Sequence, residues 1–165
     1  LTRGRGRPSK VFVMTDQGRE KFEHSYDDLA VAALKFMSAQ SGAHLVKAFA
    51  KTRADDIERK GIEALKTVSN KTEGLATFLT EQGYAATVIE RKNGEEICQH
   101  HCPIAHVAAE FPELCEAETA AFSALLGTHV QRLATIAHGD GVCTTYIPNA
   151  ITKNAVNKTS ARRGN

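Results

Sequence analysis

Residues Tyr84 to His101 read YAATVIERKNGEEICQHH. The first seven, YAATVIE, are rich in residues that fit a pleated, half-buried surface and favour a strand. Arg91-Lys92-Asn93-Gly94 follows, and its Asn-Gly dipeptide is a strong short-range hairpin signal. Glu95 to His101 then reads as the returning strand. Working downstream, Pro103 suits the first position of a helix running to about Glu110, and Pro112 interrupts it. A second helix is expected from about Glu116 to Val130, with Phe122, Leu125, Leu126 and His129 on its apolar face. Gln131 to His138 and Val142 to Ile147 read as strands joined by Gly139-Asp140-Gly141. Upstream, Leu75, Phe78 and Leu79 suit a short helix closed at Gly83. Strands and helices interleave, so residues 71–148 are expected to form an α+β domain with antiparallel strands.

Residues 26–70 read as helical, a linker or dimerisation segment. Leu29, Ala32, Ala33, Phe36 and Met37 fall on one stripe, and Leu45, Val46, Phe49 and Ala50 continue the spacing beyond Ser41-Gly42. KTRADDIERK, Lys51 to Lys60, alternates charge and reads as a solvated helix face. Ile57, Leu65 and Val68 supply a further stripe. The periodicity fits pairing between two protomers as well as packing within one chain.

Both ends of the chain are basic. The 165 residues hold 21 Lys plus Arg against 19 Asp plus Glu, a formal charge of +2. That near-balance argues against a bulk nucleic-acid coat protein or an acidic disordered chain. The balance is uneven along the chain: Arg3, Arg5, Arg7 and Lys10 precede any acid, and residues 149–165 carry cations only, reading as a disordered basic tail. No apolar run is long enough for a membrane helix, and no secretory apolar segment follows the N-terminal cations. A cytoplasmic location, with cysteines as thiols or ligands, is therefore expected.

The N-terminal order is a basic loop, a short strand (Val11 to Met14) and a helix start at Thr15. GRPSKVFVMTDQGREKF (6–22) closely resembles the wing and final helix of bacterial winged-helix repressors. That resemblance implies that residues 1–25 are the wing and last helix of a DNA-binding domain, with Arg3, Arg5, Arg7 and Lys10 on the phosphate backbone or in the minor groove. A winged helix carries its recognition helix before the wing, so the chain is expected to be truncated and, alone, to bind DNA weakly and without sequence preference.

The four cysteines, Cys98, Cys102, Cys115 and Cys143, all lie in the C-terminal region at C-x3-C-x12-C-x27-C. No C-x2-C pair exists, which disfavours a zinc ribbon or a thioredoxin-type motif. Pro103 at a helix start would put Cys102 at the N-cap. Cys115, before Glu116-Ala117-Glu118, would also sit at a helix N-terminus. Both places favour a thiolate, the metal-binding form. His100, His101, His106, His129 and His138 lie nearby, in positions where a histidine is usually structural or exposed.

HCPIAHVAAEFPELCEAETAAFSALLGTHVQRLATIAHGDGVCTTYIP (101–148) closely resembles the C-terminal domain of SufR-type repressors, the iron–sulfur winged-helix regulators of bacterial cluster-assembly operons. The resemblance implies a homodimer that binds double-stranded operator DNA, represses cluster-assembly genes and senses cluster, iron or redox status. It implies that Cys102, Cys115 and Cys143 hold the cluster, usually [4Fe-4S], with [2Fe-2S] as the other nuclearity. Cys98 is the first candidate for a fourth ligand, His129 the second, and Asp140 or Glu116 further ones. A zinc- or thiol-based winged-helix sensor could use the same cysteines without iron. Cys102 with His101 or His106 offers no triad spacing or nucleophile elbow, so the chain is not expected to be an enzyme.

Overall fold

A computed structural model describes residues 25–149. The wing residues Arg3, Arg5, Arg7 and Lys10, the strand and helix expected at 11–22, and the basic tail beyond Asn149 lie outside the described residues.

The chain enters through helix α1 (Ser25–Ser41), whose first turn carries Asp27 and Asp28, acids that complement the positive end of the helix. Gly42 turns the chain at φ +84, a conformation glycine adopts without steric cost, and α2 (Ala43–Leu65) follows. Helix α3 (Lys71–Glu81) is capped by Asn70, whose Oδ1 accepts the N–H groups of Thr72 at 3.0 Å and Glu73 at 3.3 Å. It closes before Gly83 at φ +93. Strands β1 (Ala86–Arg91) and β2 (Gly94–Gln99) form the hairpin. Short helix α4 (Ala105–Glu110) and longer α5 (Glu113–Leu126) come next, then β3 (Gln131–Ala134), a single 3-10 turn at Ile136–His138, and β4 (Cys143–Pro148). The strands pair antiparallel throughout, in the order β1-β2-β4-β3, so the fold is α+β.

The hairpin forms with its turn at the expected Arg91–Gly94, but the Asn-Gly dipeptide stands one residue away from the central pair. Arg91 pairs with Gly94, leaving Lys92 and Asn93 as the two loop residues. Neither has a positive φ, so the Asn-Gly dipeptide is not used for a type I′ turn. Gly94 is required for another reason: a Cβ there would collide with the Ile147 carbonyl oxygen and stand 2.9 Å from the Tyr146 hydroxyl. The Tyr146 hydroxyl donates to the Asn93 carbonyl at 2.8 Å, and the Asn149 N–H donates to the same oxygen at 2.9 Å. β4 is thereby locked onto the hairpin turn.

Two apolar clusters hold the layers together. One gathers Leu65, Leu75, Leu79, Ile97, Phe122 and Leu125 between the helices and one sheet face. The other joins Leu34, Val46 and Ala50 of the first two helices to Val107, Phe111 and Leu114. Helix α2 contributes to both clusters, so the helices before residue 70 pack directly against the elements after it. A Cβ at Gly61 would lie 2.6 Å from Leu125 Cδ1, so glycine lets α2 and α5 approach closely.

Several local expectations are corrected. In α1 the inward residues are Leu34 with Ala30, Val31 and Met37, whereas Leu29 and Phe36 of the expected stripe point outward. That helix is apolar on two sides, and periodicity alone does not say which side the core takes. Val68 lies beyond the end of α2. Helix α4 starts at Ala105, two residues after Pro103, and α5 runs from Glu113 to Leu126, where Gly127 at φ +67 ends it. The strand expected to reach His138 stops at Ala134, because Asp140 Oδ2 accepts the Thr135 N–H at 2.9 Å and starts the turn. Among the described residues, no helix is long and apolar enough to cross a membrane.

Candidate metal centre

Three of the four cysteines reach one place from three different elements. Cys102 lies in the turn that leads from β2 into α4. His100 and His101 donate backbone N–H groups to the Ala85 and Tyr84 carbonyls at 3.3 and 3.1 Å, and the Cys102 carbonyl accepts the Ala105 N–H at 3.3 Å. Cys102 is therefore not the N-cap of α4, which is Ile104. Cys115 is the third residue of α5, inside its first turn rather than before it, with its N–H bonded to the Pro112 carbonyl at 3.0 Å. Cys143 opens β4, and its Sγ accepts the Ile136 N–H at 3.2 Å.

All three line a small cavity of about 10 Å³ together with Tyr84, Gln99, Glu118 and Arg132. That space holds roughly one water, so anything larger is seated only if the surrounding segments part. The cysteines are free thiols.

Behind the sulfurs stands a buried ion pair. Arg132 Nη2 meets Glu118 Oε2 at 2.7 Å, with the two side chains only 11% and 10% exposed. The same guanidinium donates to Gln99 Oε1 at 2.8 Å and to Thr119 Oγ1 at 3.2 Å, and lies 5.4 Å from the Phe122 ring centroid. One further donor at the cavity has no partner: Gln99 Nε2 is buried without a hydrogen bond. The Tyr84 hydroxyl sits near the Glu118 carboxylate; burial first, and that carboxylate second, push its pKa up.

The electrostatics keep the thiols neutral when no cation accompanies them. Burial pushes Cys102 up to about 12, with the Ile104 backbone N–H acting against it and Glu118 and the other two cysteines adding to it. Burial likewise raises Cys115 to about 11, reinforced by Glu118 and opposed by Arg132. Cys143 is raised by burial and eased by the Ile136 N–H and Arg132. A bound cation reverses this logic, because a coordinating thiol loses its proton outright.

The donor set is three sulfurs, soft ligands suited to zinc, copper(I) or an iron–sulfur cluster. A tetrahedral zinc ion with bonds of about 2.3 Å draws its sulfurs to roughly 3.8 Å from one another. Among the described residues, no group of three or more His, Cys, Asp or Glu side chains is arranged to hold a metal ion.

The remaining candidates are placed elsewhere. Strand alternation puts Gln99 and Ile97 on the helix-covered face of β2 and Cys98 on the opposite face, paired across the strands with Thr87 and Thr144. His129 is exposed in the connection after α5, not on its apolar face. Glu116 and Asp140 line a separate outer pocket that also contains Cys115. Sequence reasoning missed Glu118, Arg132 and Gln99. Glu118 was visible in principle, because it follows Cys115 by three residues and shares its helix face. Arg132 could have been marked as a lone cation within the strand-like QRLATIAH.

The described residues thus define an α+β domain built around a three-cysteine cavity backed by a buried arginine–glutamate pair. Compared with known proteins, the chain matches no family model, no curated protein and no solved structure.

Proposed function

We propose that the chain is the sensory part of a DNA-binding regulator, a repressor of iron–sulfur assembly genes that responds to a cluster held by Cys102, Cys115 and Cys143. The observation that carries this reading is the meeting of these three thiols, 13 and 28 residues apart along the sequence, at one cavity. The unpartnered Gln99 Nε2 supports it, since it is a donor that sulfur or sulfide can accept. Such a cluster supplies redox and iron sensitivity. The chain's own part is mechanical. When the three thiols are tied together, the approach to α4, the start of α5 and the start of β4 are fixed to one another. Helix α5 packs on α2, so that constraint reaches the helices that follow the basic N-terminal segment.

Pairing of two copies is part of the proposal. Tyr26, Leu29, Ala33 and Phe36 follow one another at intervals of three, four and three residues, the spacing of a coiled-coil seam. Tyr26, Leu29 and Phe36 are 88%, 66% and 65% exposed among the described residues. Two such helices side by side would set the separation of two wings carrying Arg3, Arg5, Arg7 and Lys10, and hence the affinity for paired half-sites.

Anaerobic purification with visible absorption, iron and acid-labile sulfide analysis tests this. The reading requires brown protein with iron and sulfide in equal amounts. Zinc without sulfide would establish the zinc sensor instead, and a colourless protein that takes up no iron and sulfide on reconstitution would overturn the proposal.

A further inference from the structure

The inner cavity has a vestibule. A pocket of about 480 Å³, within the size range of small-molecule sites, opens beside it and is walled by the first turn of α5, strand β3 and the β3–β4 connection. Cys115 and Arg132 line both spaces. Cys102 and Cys143 line only the inner one, which at about 10 Å³ admits roughly one water. At the mouth the β3–β4 register shifts between Arg132 and Ala134, and Leu133, 58% exposed, sits at that irregularity. Such irregularities re-aim a side chain. Glu116 and Asp140 are exposed on the rim, while the Arg132 charge is compensated by Glu118.

We infer that this vestibule is a binding and entry site for small uncharged solutes, such as peroxides and neutral electrophiles, and that it presents them to Cys115 before the buried Cys143. The acidic rim disfavours anions. The one-water inner cavity holds larger molecules at Cys115, with Leu133 narrowing the approach. This follows from the shape of the two spaces and does not depend on what the cysteines bind.

Timed alkylation of the metal-free chain, read residue by residue by mass spectrometry, tests it. With iodoacetamide, a sulfur–carbon bond forms, the carbon–iodine bond breaks, iodide leaves and the thiol proton goes to solvent. Cys115 is expected to react at least about tenfold faster than Cys143. Iodoacetate, the anionic analogue, should be slowed at Cys115 more than at the same residue in urea-unfolded chain. Leu133→Trp should slow Cys115 by about tenfold and leave Cys98 unchanged, whereas Leu133→Ala should not slow it. Labelling of Cys143 ahead of Cys115 would overturn the inference. So would equal Cys115 rates in Leu133→Trp, Leu133→Ala and the parent chain. The cluster reading would survive either result, and its own failure would leave this test intact.

Discussion

Replacing Arg132 with methionine removes one charge from a pair that water barely reaches. The Arg132–Glu118 contact is 2.7 Å, and both side chains are about nine-tenths buried. The substitution strands the Glu118 carboxylate and strips Gln99 Oε1 and Thr119 Oγ1 of their guanidinium donors. Breaking a buried pair in this way costs about 3–5 kcal/mol, because the remaining charge stays desolvated. For a chain of this length that corresponds to a fall of roughly 6–20 °C in Tm. Urea unfolding of the metal-free protein, followed by circular dichroism, measures it. The double variant Arg132→Met, Glu118→Leu removes both charges and should recover most of the loss, since an apolar pair of similar volume is often neutral or better. An Arg132→Met cost below about 1 kcal/mol would place the pair in the range of solvated surface contacts and refute the reasoning. So would a double variant no more stable than the single one.

Gly94→Ala should cost about 1–3 kcal/mol, the range for overpacking, because the new methyl meets the Ile147 carbonyl oxygen; denaturant titration reads the shift. Asn70→Ala removes an acceptor of two backbone N–H groups and should lower stability by about 0.5–2 kcal/mol in the same assay. With an aromatic disulfide reagent near pH 8, native Cys102 should exchange roughly 50-fold more slowly than an unfolded thiol. Its thiol, raised to about 12, lacks thiolate at that pH, so the rate should climb with pH without levelling near 9; levelling there would contradict the burial argument. Leu29→Glu with Phe36→Glu should halve the solution mass by light scattering while changing monomer stability by no more than about 0.5 kcal/mol, as expected for exposed positions.

The α+β class was legible because its signals are local: the strand-favouring residues of Tyr84 to Glu90, Asn93-Gly94, the two prolines near Cys102, and Gly42, Gly83 and Gly127 after three of the five helices. Boundaries slipped where a tertiary contact outweighed a local preference. The hairpin uses Lys92 and Asn93 because Gly94 must lie flat against β4. The face of α1 could not be read, because the helix is apolar on two sides and its inner side is selected by Val107 and Phe111, some 75 residues downstream. The resemblance to SufR-type repressors pointed to Cys102, Cys115 and Cys143, but sequence proximity also favoured Cys98. Strand alternation turns Cys98 to the other side of the sheet, four residues away in the chain yet facing elsewhere. Glu118 and Arg132 escaped because an ion pair between a helix and a strand 14 residues apart leaves no periodic trace.

The central claim is that three particular thiols act together. It is tested most directly by substituting each cysteine with serine in turn and measuring iron and sulfide per chain after anaerobic reconstitution. Cys102→Ser, Cys115→Ser and Cys143→Ser should each lose the cluster, while Cys98→Ser retains iron and sulfide at the level of the parent chain. Loss in Cys98→Ser, or retention in any one of the other three, would contradict the account.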